Sequence, residues 1–267
     1  MKHPVIILIA AIVASGSFIG WRVHAMKNDP VTDVEEVYDP SISFTGGCQS
    51  LVGSAEQALG DPNMSAGSTL TVLVLGNQAT ADEPRRLGTY AIPTVRKVIE
   101  GRQASAERRE SLLRNLWARC QSLQPTAISP IFLGVQQAIA ELRADGCKAG
   151  SHCALWVSTD LEENGVRAIE ERINSGRKVR SALPAPLDNT GIAVTLCGFA
   201  QTSGHLIGPS GREIGKPTIR DPHRDNRLQA VWRSLFTQPG LVRFEPYCPK
   251  PGILPGAWSA RRTAEAR

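Results

Sequence analysis

The stretch L70-T-V-L-V-L-G-N-Q-A-T80 decides how the chain is read. Leu70 to Leu75 is apolar and rich in β-branched residues, and it breaks at Gly76-Asn77-Gln78. A run of this length and composition is expected to be a buried parallel strand, and the carboxyl end of such a strand carries the site in many α/β proteins. Here that end presents a glycine and two amides, where an Asp or a phosphate-cradling glycine cluster would be the familiar arrangement.

Working outward, the pattern alternates. "CALWVSTD" (153–160), "GIAVTLCGFA" (191–200) and "GLVRFEPY" (240–247) read as further strands. Between them, "SAERRESLLRNLWARCQSL" (105–123) carries Leu112, Leu113, Leu116, Trp117, Cys120 and Leu123 at helical spacing, with Ser105 as its cap. "SPIFLGVQQAIAELRADG" (129–146) reads as a helix with Ser129 as N-cap, Pro130 in the first turn and Gly146 as its stop. "YAIPTVRKVIEG" (90–101) reads as the end of a helix, and "DNRLQAVWRSLF" (225–236) as a helix capped by Asp225. Strands alternating with amphipathic helices predict an α/β fold: a doubly wound, mostly parallel sheet with helices on both faces.

The expected organisation has four parts: 1–26, a membrane anchor or signal peptide; 27–68, an exposed linker or extension; 69–248, the domain; and 249–267, a C-terminal tail. The first part contains "PVIILIAAIVASGSFIGW", about 18 residues without a charge, close to the ~20 that a bilayer span needs. Two readings fit it. One is an uncleaved single-span anchor with Trp21 at the bilayer edge. The other is a secretory signal peptide cut after Ala25. Both direct the domain to the periplasm or the cell exterior. The six cysteines agree, because an even number outside the cytoplasm pairs readily. Cys147 and Cys153, bracketing a short polar turn, are the expected pair; Cys120 and Cys197 lie in apolar patterns suited to buried thiols.

The formal charge of +5 is spread along the 267 residues and aromatics make up 5%. No basic cluster with interleaved rings occurs, so nucleic-acid binding is not expected. No zinc spacing and no Gly-x-Ser-x-Gly or His-Glu-x-x-His signature is present.

Three places converge on one edge of the predicted sheet: Gly76 to Thr80, Ser129 and Asp160. On these residues the domain resembles the von Willebrand factor type A family. In that family the first strand ends in Asp-x-Ser-x-Ser, a Thr opens a later helix, and a further strand ends in an Asp after Thr. These oxygens hold a divalent cation, usually Mg²⁺, in the metal-ion-dependent adhesion site. "VSTDLEENG" is similar to the last motif, with Asp160 in the Asp position. "ISPIFLGVQQAIAEL" is similar to the second, with Ser129 in the Thr position. "VLVLGNQAT" is aligned with the first, with Gly76 for the Asp, Gln78 for the first Ser and Thr80 for the second. The resemblance thus implies a weak, degenerate metal site at Thr80, Ser129 and Asp160, with Mg²⁺ the cation if one is held.

The expected function is that of a non-enzymatic protein-binding module, tethered or exported. Asn77, Gln78, Thr80, Ser129, Asp160 and Glu162 would face another envelope or extracellular protein, and the N-terminal segment would face the membrane. The alternative is an exported metal-dependent hydrolase using Asp160, His205 and His223, with Asp221 and Asp225 beside the last of these. Glu162 and Glu163 read as solvated loop carboxylates.

Overall fold

The computed structural model describes residues 33–60, 68–76, 84–91, 101–126, 129–149, 153–163, 165–175, 182–200 and 222–252. Six strands form one sheet: β1 (Asp33–Tyr38), β2 (Thr69–Val74), β3 (Arg85–Ala91), β4 (Cys153–Ser158), β5 (Ile192–Cys197) and β6 (Val242–Glu245), in the order β3-β2-β1-β4-β5-β6. All neighbours are parallel except β2 and β3. Among the described residues five α-helices accompany them: α1 (Gly47–Gly60), α2 (Gly101–Gln121), α3 (Ile131–Ala144), α4 (Arg167–Ser175) and α5 (Pro222–Ser234). The architecture is a mostly parallel α/β sheet with helices.

The run at 69–74 is the second strand. The first lies inside 27–68, which had read as a linker, so the domain begins no later than Asp33 rather than at residue 69. Its sequence, Asp-Val-Glu-Glu-Val-Tyr, has no long apolar run, yet all six residues are buried. The reason is its position: β1 pairs on both sides, with Val34 opposite Leu70 and Ala154, and Tyr38 opposite Val74 and Ser158. Tyr90 and Ala91 belong to β3 and not to a helix; β3 pairs antiparallel with β2, an arrangement the charged "RRLGTYA" concealed. α3 ends as its sequence predicts, with Gly146 in the left-handed region (φ 98°) just past the last turn.

Successive strand residues point to opposite faces, and two cores result. On one face Val37, Leu73 and Leu75 pack with Ile131, Val135, Ala138 and Leu142 of α3, Ile169 and Ile173 of α4, and Leu228 and Trp232 of α5. On the other, Val34, Tyr38, Leu70, Val72 and Val74 meet Leu51, Val52 and Ala55 of α1 and Leu113 and Leu116 of α2. Each fully buried Leu or Val contributes about 1.5–3 kcal/mol.

All six cysteines are bonded: Cys48–Cys120, Cys147–Cys153 and Cys197–Cys248. The second pair is the expected one. The other two correct the reading of Cys120 and Cys197 as thiols, because a half-cystine suits an apolar setting as well as a thiol does. Three disulfides fit a domain held outside the reducing cytoplasm. The apolar N-terminal segment lies outside the described residues, among which no helix is long and apolar enough to cross a membrane.

β1 buries two glutamates, one toward each core. Burial first, then the neighbouring Glu141 carboxylate, pushes Glu35 up to about 9 against the opposing pull of Arg86. Burial alone drives Glu36 well above the usual carboxylate range, although the Ser158 hydroxyl donates to its Oε1 at 3.1 Å. In the unfolded chain both ionise near the ordinary value. The fold therefore holds more protons than the unfolded chain over this window, and stability falls as pH rises. A carboxyl that stays neutral only in the fold costs about 1.4 kcal/mol per pH unit. Glu36→Gln removes the Glu36 share. Circular dichroism melts should place the variant above the unsubstituted chain at pH 8, by about 2–4 °C per kcal/mol regained, with the two curves converging near pH 4. Equal melting temperatures at pH 8 would contradict a neutral Glu36.

Candidate functional site

β1 runs directly into Asp39-Pro40-Ser41-Ile42-Ser43. The Asp39 amide still donates to Ser158 O at 3.0 Å, so the ladder fixes where its side chain begins. Pro40 then turns the chain, and the Ser41 amide donates back to Asp39 Oδ1 at 2.9 Å, an Asx turn. The hydroxyls of Ser41 and Ser43 lie 3.2 Å apart.

Two other segments close on Asp39. The Ser129 hydroxyl donates to Oδ1 at 3.0 Å and the Thr159 hydroxyl to Oδ2 at 2.8 Å. Ser129 thus does not cap α3. Pro130 stands at the N-cap with no side-chain cap bond, and the Ser129 hydroxyl is spent on Asp39. Asp160 follows Thr159 at the end of β4. Its Oδ1 accepts from the Glu162 amide at 3.1 Å, while its Oδ2 is buried without a hydrogen-bond partner. Ser43 also hydrogen-bonds the Asp160 carboxyl.

The loop that holds Asp160 is fastened on three sides. Leu161 adopts φ 63°, rare for a branched side chain, and its carbonyl accepts the Trp232 indole N–H at 3.1 Å. Glu162 pairs with Arg224 of α5. Glu163 is buried: Oε2 accepts from the Phe132 amide in the first turn of α3, and Oε1 from the Gly165 and Val166 amides. Neither glutamate is a solvated loop carboxylate. Burial lifts Glu163 to about 7, against the pull of those three amides.

Asp39 and Asp160 are both withdrawn from water, at 0% and 1% exposure. Burial is the main cause that raises each. Asp160 is pushed up to about 8, with the Asp39 and Glu162 carboxylates adding to the effect, whereas three hydroxyls and an amide restrain Asp39. Two carboxyls, three serine hydroxyls and a buried carboxylate oxygen with nothing to bind make a hard-oxygen donor set. Asp39, Ser41, Ser43, Ser129 and Asp160 suit a Mg²⁺-like cation, whose charge would relieve the repulsion between the two acids.

The sequence-derived residues distribute unevenly. Ser129 and Asp160 meet through Asp39 and its neighbour Thr159. Gly76 follows Leu75, whose amide donates to Tyr38 O at 2.9 Å, so it lies just past β2, beside the strand that leads into Asp39. Asn77, Gln78, Thr80, His205 and Asp221 lie outside the described residues; His223 and Asp225 are in the first turn of α5. Among the described residues no three His, Cys, Asp or Glu side chains gather as metal ligands; the oxygen set above relies on hydroxyls. Sequence reasoning missed Asp39, Ser41 and Ser43, although Asp-x-Ser-x-Ser stands there in full. No protein-family model matches the chain, and no curated protein sequence matches it either.

Proposed function

We propose that this chain is an exported protein-binding module of the von Willebrand factor A type, doubly wound, with a complete cation site rather than a degenerate one. The carrying observation is the convergence of Ser129 and Thr159 on the Asp39 carboxyl beside the partnerless oxygen of Asp160. The family pattern supports it once β1 is taken as the first strand. Asp39, Ser41 and Ser43 then stand for Asp-x-Ser-x-Ser, Ser129 for the hydroxyl before the helix, and Asp160 for the Asp after Thr. The degenerate reading rested on Gly76 in the aspartate position, and Thr80 is not required as a ligand.

Bound there, Mg²⁺ supplies an electrophilic centre that attracts a carboxylate of a partner. The chain's own residues provide the rest. Asp39 and Asp160 bring negative charge, the serines bring short neutral oxygens, and Arg224 holds Glu162 at the margin. Asn77, Gln78 and Thr80, which follow Gly76 in sequence and lie outside the described residues, are the further residues assigned to the partner, another envelope or extracellular protein. The segment 1–26 tethers the module or is removed on export. The hydrolase reading with His205 and His223 draws on no observation among the described residues.

The test is affinity capture from an envelope extract in Mg²⁺ and in chelator. A partner should be retained in Mg²⁺, released by chelator and not captured by Asp160→Ala. Retention of the same protein under all three conditions would remove the cation from the binding reaction.

A further inference from the structure

A second concavity lies away from the Asp39 rim, over the amino-terminal halves of β4, β5 and β6, and encloses about 780 Å³. That size lies within the range of ligand sites. Strands of a mostly parallel sheet are normally covered on both faces. Here Ala193 is exposed, and Ala154, Trp156 and Thr195 are only half-buried. Ala154 and Ala193 are small, so over that part of the floor a partner's backbone can approach the strands closely, with Trp156 and Thr195 beside it.

The walls carry charge. Among the described residues, Arg109, Arg243 and Lys250 line the groove with one carboxylate, Glu56. Glu56 is already engaged, since its Oε2 accepts from the Gly252 amide at 2.7 Å. Arg109 donates to the Glu56 carbonyl at 2.8 Å, which fixes its guanidinium over α1. The wall at Pro249 and Lys250 is held in place from two directions. The Cys197–Cys248 disulfide ties it to the end of β5, and it packs so closely on α1 that a Cβ at Gly53 would stand 2.0 Å from Pro249 O. The concavity is therefore preformed, and its described residues set three cations against one carboxylate.

We propose that this groove binds an acidic, extended segment of a partner protein, at a site separate from the Asp39–Asp160 rim. Charge selects the occupant, and the small Ala154 and Ala193 leave room for an extended backbone along the strands. A nucleic acid is disfavoured because Trp156 is the one aromatic ring among the described lining residues, whereas single strands are held by successive stacking rings.

The test uses the full chain in chelator, which silences the cation site, and fluorescence anisotropy of a short fluorescein-labelled peptide of alternating Glu and Ala. Saturable binding is expected. Arg243→Ala combined with Lys250→Ala should weaken it about tenfold or more, the loss of ~1.4 kcal/mol. Both positions are exposed, so the melting temperature should stay unchanged. Arg243→Lys should retain binding, as should Asp39→Ala, which separates this site from the rim. Absence of binding would overturn the proposal, as would equal binding by the double variant or by a Lys-Ala peptide. Tighter binding of a short single-stranded DNA than of the acidic peptide would overturn it in favour of a nucleic-acid site.

Discussion

Asp39→Ala should abolish the chain's response to divalent cations. A ligand at a hundred times its dissociation constant adds about 2.7 kcal/mol to the folded state. For a domain of this size that raises the melting temperature by roughly 5–10 °C. The unsubstituted chain should show such a rise in Mg²⁺ or Mn²⁺ and lose it in chelator. In the variant the rise should vanish, because Asp39 is the residue on which the other segments converge. Ser129 and Thr159 both donate to it, so the substitution removes a ligand and also the post that aligns its neighbours. The chelated variant should melt below the chelated parent, since two buried hydroxyls lose their acceptor, at about 1–3 kcal/mol for each group left unpaired. Asp160→Ala should abolish the cation response at a smaller cost in intrinsic stability, because Asp160 accepts fewer hydrogen bonds than Asp39 and its Oδ2 accepts none. A full cation-induced rise in Asp39→Ala would place the ion elsewhere.

The largest loss of stability is expected from Trp232→Ala. Trp232 is fully buried and fills the space between α5 and the sheet. Truncating a buried aromatic costs about 3–5 kcal/mol. The change also leaves the Leu161 carbonyl without its indole donor. Urea unfolding should show the midpoint falling by that amount divided by the slope, with the slope itself unchanged. Trp232→Phe is the informative companion. It keeps most of the volume and removes the hydrogen bond that holds Leu161 at its unusual φ. Its stability loss should be modest, yet its Mg²⁺-induced rise should shrink, because Leu161 is the residue that follows Asp160. A Trp232→Ala variant within 1 kcal/mol of the parent would show that the site collapses around the void.

What the sequence reveals depends on how a strand is buried. β2, β4 and β5 are legible because their side chains are apolar, as strands covered on both faces should be. β1 is not, because it places Glu35 and Glu36 where such strands carry Val or Ile, and the fold accommodates them by holding them neutral. β3 hides for the opposite reason: as an edge strand, it keeps Arg85 and Arg86 exposed. The candidate site follows the same division. Ser129 and Asp160 can be found, since one precedes a clear helix and the other ends a clear strand. Asp39, Ser41 and Ser43 follow a strand that does not resemble one, so a five-residue motif reads as the end of a linker. Gly76 lies past β2 and Asp39 directly after its neighbour β1, so a reading that starts from β2 finds no carboxylate. The pairing of Cys120 is illegible because its partner, Cys48, lies in the segment that reads as a linker, and that of Cys197 because its partner, Cys248, stands 51 residues away, past the last strand.

The three disulfides have a consequence for how the chain matures. Cys48 joins Cys120, Cys147 joins Cys153, and Cys197 joins Cys248, so each cysteine is bonded to the one beside it in sequence and no two loops interlace. In an oxidising compartment, thiols joined in order of arrival from the amino end reach the native set without reshuffling. Oxidative refolding of the reduced chain is then expected to reach the native pairing without an isomerase.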